Sequence, residues 1–190
     1  AWNLAAASAA AGTPTLLIEA DLRRPGLNPW GSRRTAGLSG LLSQQRGFDQ
    51  VIEDSGGLYG DGPRPTRNLD VIFAGPNPPN PDELIDSERM RDLLRVAERR
   101  YELVVIDTPP TSVVSDAIPL VQEVSGVLVI GRLGQTTREA AVRLASQLQN
   151  LQARVFGIVV NDAPRSEAAY YYDGYSFERP ETETITPARP

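Results

Sequence analysis

Residues 103–110 read LVVIDTPP: four aliphatic side chains, an aspartate, a threonine and two prolines. A run that is apolar on both faces suits a strand covered on both sides, as in parallel sheets flanked by helices. Proline has no amide to donate, so Pro109 and Pro110 end the ladder and leave Asp107 at the carboxyl tip of the strand. Working outward, similar runs recur at Thr15 to Ala20, closed by Asp21, and at Leu69 to Ala74, closed by Gly75 and Pro76. Val127 to Ile130 and Val155 to Val160 complete the set. Helical patterns lie between them. Trp2 to Ala11 is alanine-rich and stops at Gly12. Asn80 precedes Pro81, Asp82 and Glu83, which predicts a capped helix with an acidic first turn, continued by Met90, Leu93, Leu94 and Ala97 at helical spacing. Thr136 and Glu139 form a capping-box pair ahead of Ala141, Leu144, Ala145 and Leu148. Strands alternating with helices imply crossover connections, hence an α/β fold of three layers around a mostly parallel sheet.

Residues 53–68 are rich in Gly and Pro and read as a surface insertion. After Asn161 the composition changes. Tyr170, Tyr171, Tyr172 and Tyr175 crowd together, and then Glu, Thr and Pro dominate. Such a segment buries too little apolar surface to order itself, so the expected division is a domain over 1–163 and a disordered tail over 164–190.

Composition narrows the chemistry. The apolar share of 41% and charged share of 23% are those of a globular domain, and 190 residues suffice for one sizeable core. A net charge of -5 speaks against nucleic acid as the main partner, although Arg23, Arg24, Arg33 and Arg34 form a local basic patch. With no cysteine and no histidine, disulfides and the common zinc sites are excluded, and acid–base work falls to carboxylates or tyrosine. All 19 basic residues are arginine, so no lysine of this chain can clamp a phosphate. No apolar run approaches the ~20 residues needed to cross a bilayer, and no signal peptide is visible.

In open α/β sheets, ligands bind at the carboxyl ends of the strands. Asp21 and Asp107 both stand at such ends. A carboxylate there can serve Mg²⁺ directly or through water, or can simply cap the following turn. A single aspartate does not separate these readings.

The surrounding motifs do. The strand ending Asp-Thr-Pro-Pro resembles the Walker B element of bacterial tyrosine autokinases, the BY-kinase family of capsule and exopolysaccharide systems. LLIEADLRRP at Leu16 to Pro25 resembles that family's Walker A′ element, usually an apolar run followed by Asp-x-Asp-x-Arg. The likeness continues through GLSGLL at Gly37 to Leu42, AGPNPPNPDELIDSERM at Ala74 to Met90, Ser115-Asp116-Ala117, and GIVVN at Gly157 to Asn161. Collinear agreement over roughly residues 1–162, followed by a tyrosine cluster, is far more specific than any one motif.

The resemblance implies a P-loop NTPase-like sheet of the deviant Walker type, ATP and Mg²⁺ as cofactors, and transfer of phosphate to tyrosine. Asp107 would hold Mg²⁺, mostly through water, and Asp21 would help place it. Glu19 stands where the family has the acid that activates the acceptor tyrosine, with one methylene more than the usual aspartate. Arg23 would neutralise phosphate charge or pair with the metal-site acids. Asn161 would contact the nucleotide base. Tyr170, Tyr171, Tyr172 and Tyr175 would be the phosphoacceptors, modified in trans within a ring-like homo-oligomer. Pro164 to Tyr175 can span roughly 36 Å when extended, enough to reach a neighbour. Control of polysaccharide export implies a membrane co-polymerase as partner, fused or separate, and a place at the cytoplasmic face of the plasma membrane.

The family's Walker A loop and first strand would precede Ala1, so the sheet is expected to lack a central member. This polypeptide by itself is then expected neither to bind ATP tightly nor to fold robustly. Two other readings share the motifs. One is a partitioning or septum-positioning ATPase of the same superfamily, although no basic amphipathic C-terminal helix is present to favour it. The other is a non-catalytic regulator of polysaccharide assembly, for which Glu19 leaves room.

Overall fold

A computed structural model of the chain describes residues 1–27, 36–54, 68–110 and 117–163. Arg33, Arg34, Ser115, Asp116 and the tyrosines Tyr170, Tyr171, Tyr172 and Tyr175 lie outside the described residues, as does most of the insertion.

Thr15–Glu19 (β1) owes its central place to five consecutive side chains that are all buried, as only an interior strand allows. It pairs in parallel with Leu69–Ile72 (β3) on one side and Leu103–Asp107 (β4) on the other. Glu53–Asp54 (β2) adds an antiparallel edge to β3, giving the order β2-β3-β1-β4. The expected insertion therefore begins with a short strand. Alternation along β1 feeds two cores. Leu16 and Ile18 point to the layer built from Gly37–Leu42 (α2), Pro81–Ile85 (α3) and Glu88–Arg100 (α4). Leu17 points the other way, with Leu69, Val71 and Phe73, onto Ala5 and Ala9 of Trp2–Ala10 (α1). Three layers result, as the alternation of patterns predicts.

The helical pattern expected from Pro81 to Ala97 is broken in two. Ser87 accepts a hydrogen bond from the Met90 amide at 3.2 Å, capping α4, while its hydroxyl donates to the Leu84 carbonyl at 2.6 Å and closes α3. The Asn80 side chain caps nothing and instead donates to Glu83 at 2.6 Å. Replacing Ser87 with Ala should cost ~1 kcal/mol of stability in denaturant titrations, the usual loss for an N-cap.

Beyond Ile118–Val121 (α5), Val127–Arg132 (β5) and Val155–Asn161 (β6) form a separate parallel pair, connected by Arg138–Asn150 (α6). No ladder joins β4 to β5, so the parallel sheet is interrupted between them among the described residues. The expectation of strands covered on both faces fails on both sides of that break: all five residues of β4 are half-buried, and Ile130, Phe156 and Ile158 of β5 and β6 are 55%, 57% and 71% exposed. Two strands and one helix have too little surface to cover each other, and of the apolar face expected on α6 only Leu148 is buried. The helix cap differs as well. Thr137 caps α6 by accepting from the Ala140 amide at 3.2 Å, because the Thr136 hydroxyl is taken by the Arg132 amide at 2.8 Å.

Candidate functional site

Parallel register sets the site. Glu19 stands opposite Asp107, and the Ala20 amide extends the ladder by donating to the Asp107 carbonyl at 2.8 Å. Asp21 follows one residue later, so all three acids emerge at the carboxyl end of two neighbouring strands. Their charges interact. Burial raises the Asp107 carboxyl above its ordinary range, and the Glu19 and Asp21 carboxylates push it up further.

Each acid has its own surroundings. Asp21 Oδ1 accepts from the amides of Arg23 and Arg24 at 3.1 and 2.9 Å. Its second oxygen has no hydrogen-bond partner among the described residues. Asp107 is half-buried, and the charges of Glu19 and Asp21 both act on it. Glu19 is fully buried. Its Oε1 accepts from the Gly26 and Leu27 amides at 2.7 and 2.6 Å, and its Oε2 from the Ala74 amide at 3.0 Å. This side chain is turned inward onto backbone, a placement at odds with the expectation that it meets an incoming hydroxyl.

Arg23 extends toward Asp82 of α3, 4.0 Å away, while Asn77 Nδ2 donates to the Arg23 carbonyl at 3.1 Å. Both members of the ion pair are well exposed, so it contributes well under ~1 kcal/mol and serves mainly to orient. Asn161 closes β6 in the other sheet, in register with Arg132. It is exposed, and its side chain makes no hydrogen bond among the described residues. The structure thus brings Glu19, Asp21 and Asp107 to one end of one sheet and sets Asn161 at the end of a strand in the other.

The turn after β3, which reaches Glu19 through the Ala74 amide, supports the cluster. The loop after β3 is held by the Leu38 and Ser39 amides, which donate to the Phe73 and Ala74 carbonyls at 2.7 and 2.9 Å, and by the Ser39 hydroxyl on the Pro76 carbonyl at 2.7 Å. Gly37 and Gly75 meet there with φ of +54° and +77°. The visible signal was the glycine at each motif's edge, GLSGLL and AGPNP.

Asp21 and Asp107, carboxylates at the tips of neighbouring strands, suit a hard divalent cation. Among the described residues, no three acidic side chains converge as an all-protein metal cage. One or two carboxylates completed by water and phosphate oxygens is the arrangement Mg²⁺ prefers.

No family model matches the chain. It is 33% identical over 175 residues to the tyrosine-protein kinase YwqD of Bacillus subtilis (strain 168), covering 90% of this chain and 70% of that protein. It is 34% identical over 172 residues to the tyrosine-protein kinase etk of Escherichia coli (strain K12), again over 90% of this chain but only 22% of that protein. The chain therefore spans about a fifth of the longer relatives. The solved kinase domain of VpsO superposes with a TM-score of 0.76 at 29% identity, covering 86% of this chain and 76% of that one. A ParA family ATPase from Chlorobium tepidum TLS shares the fold alone, with a TM-score of 0.62 at 16% identity.

Proposed function

The chain belongs to the bacterial tyrosine-protein kinase family, and on that premise we propose that it supplies the catalytic core of a protein kinase that moves the γ-phosphoryl group of ATP to tyrosine hydroxyls. The observation that carries this reading is that Asp21 and Asp107 stand at the tips of adjacent parallel strands, with the Asp21 charge acting on Asp107. Bound Mg²⁺ would neutralise charge on the phosphate oxygens as the phosphoryl group moves. Asp107 and Asp21 are the residues to hold that cation, the latter through the oxygen its turn leaves open. Arg23, oriented by Asp82, adds positive charge at the rim, and Asn161 is assigned to the nucleotide base. A phenol of pKa near 10 must lose its proton as the new P–O bond forms. With no histidine in the chain, a carboxylate takes it. Glu19 holds the family's acid position but is committed to three amides, and the open oxygen of Asp21 is assigned to the cation, so neither takes that proton in the arrangement seen here.

The acceptors in this reading are Tyr170, Tyr171, Tyr172 and Tyr175, phosphorylated by a neighbouring subunit of a ring-like homo-oligomer. Several phosphates at about -1.5 to -2 charges each would repel one another and loosen the ring. Coupled to a membrane co-polymerase, fused or separate, this cycle would regulate capsular or exopolysaccharide export from the cytoplasmic face of the plasma membrane. No helix among the described residues is long and apolar enough to cross a membrane, so the anchor in this reading lies outside them. The inward-turned Glu19 favours a second reading, a docking regulator without turnover. Incubating the intact protein with ATP and Mg²⁺, then mapping phosphotyrosine by mass spectrometry, separates them. Phosphate between Tyr170 and Tyr175 is the expected result; phosphotyrosine elsewhere overturns the tail assignment, and none at all overturns the kinase.

A further inference from the structure

We propose that Glu19 is a positioning residue: its buried carboxylate clamps the loop from Asp21 to Leu27 against the end of β3 and so fixes the Asp21 side chain that serves the cation. Every backbone amide of that loop is accounted for. Between Leu22 and Leu27, Pro25 has no amide, and every other amide is paired. The Leu22 amide donates to the Ala20 carbonyl at 3.0 Å. Those of Arg23 and Arg24 go to Asp21, and those of Gly26 and Leu27 go to Glu19. Four of five donors thus end on two carboxylates. The acid at the tip of β1 holds the far end of the loop, and the acid two residues on holds its near end.

The third bond closes the device. Ala74 follows the last residues of β3, and its amide reaches Glu19 Oε2. One carboxylate therefore joins β1, the loop and the β3 terminus, which α2 in turn holds through Leu38 and Ser39. A fully buried carboxyl group is tolerated only where its oxygens find donors, and backbone amides are suitable ones. Proton abstraction needs a lone pair within reach of the incoming hydroxyl. Glu19 has no solvent exposure and both oxygens engaged.

Side-chain length matters as well. An aspartate at position 19 would withdraw the carboxylate by about 1.5 Å. Bonds now 2.6 to 3.0 Å long would leave hydrogen-bonding range on at least one side of the bridge. In this chain the longer glutamate is thus what spans the gap, so the shorter acid does not substitute for it.

The clamp stands on geometry alone, while its catalytic consequence rests on the kinase reading. The test uses the intact protein and its E19D and E19Q forms. Amide exchange in the unsubstituted protein should show Gly26, Leu27 and Ala74 as slow as the interior of β1; fast exchange at these amides overturns the clamp without any variant. In both variants, exchange over residues 22–27 should rise at least tenfold while α4 keeps its protection. The Mg²⁺ concentration for half-maximal ADP binding should rise about tenfold, with turnover at saturating Mg²⁺ falling by a smaller factor. Full loop protection and wild-type Mg²⁺ dependence in E19D would overturn the proposal. So would an E19Q form that loses turnover a hundredfold with its loop protection and Mg²⁺ dependence unchanged, the behaviour of a proton acceptor. Exchange and ADP binding remain measurable even if the intact protein forms no phosphotyrosine, so failure of the clamp and failure of the kinase reading are distinguishable.

Discussion

Asp107→Asn in the intact protein should lower Mg²⁺-dependent tyrosine phosphorylation by about 10²–10³-fold, the loss typical when one fixed electrostatic group at a transferring phosphoryl is removed. Asparagine keeps the shape and one acceptor oxygen, so β4 and its pairing with β1 should survive. What disappears is the negative charge that holds the cation. The same variant should behave oppositely in stability. Burial and the carboxylates of Glu19 and Asp21 raise the Asp107 carboxyl from its ordinary 3.8. A carboxyl whose folded value lies above its unfolded value opposes folding once ionised. That opposition is complete above the raised folded value, fades as pH falls through it, and is gone below the unfolded value. Asp107→Asn should therefore unfold at a higher temperature than the parent at pH 7 without Mg²⁺, with the gap narrowing in acid. Thermal scans at pH 7 and near pH 4 check the sign. A site that gains stability when its charge is removed has been built for something other than stability.

Gly75→Ala should cost about 3 kcal/mol or more in denaturant titrations, a large share of the 5–15 kcal/mol by which domains are stable. Gly75 holds φ at +77°, where a side chain costs roughly 1–2 kcal/mol by itself. A Cβ there would also run into the Ala36 carbonyl, with the Ser39 hydroxyl 2.8 Å away. Relief requires α2 to back away from the β3 terminus, an overpacking cost of about 1–3 kcal/mol. The damage would not stay local, because the Ala74 amide that reaches Glu19 is the adjacent one.

Much of this was legible before any coordinates. β1, β3 and β4 announce themselves as short, mainly aliphatic runs, two of them closed by proline or glycine, although all five residues of β4 are only half-buried because no strand among the described residues pairs with its outer edge. Asp21 and Asp107 could be placed at one end of the sheet because parallel pairing sends every carboxyl tip the same way. Other features depended on competition between adjacent groups. Thr136 and Thr137 are equally good caps on paper, and only the Arg132 amide decides which hydroxyl is left for α6. The break at Ser87 hides inside a periodicity that continues across it. β5 and β6 have the aliphatic character of interior strands, but burial needs neighbours, and none of the described elements covers them. The inward turn of Glu19 was beyond reach altogether. Its partners lie seven, eight and 55 residues away, and a strand-tip acid looks the same in sequence whichever way it points.

Calorimetry of Mg²⁺·ADP binding to the intact protein and to its D21N, D107N and double-substituted forms puts the shared cation to the question. If both carboxylates serve a single Mg²⁺, each substitution alone should remove most of the Mg²⁺-dependent affinity and the double form should lose little more, a strongly non-additive cycle. Independent, additive losses, or affinity for Mg²⁺·ADP that survives both substitutions, would contradict a common magnesium site at the tips of β1 and β4.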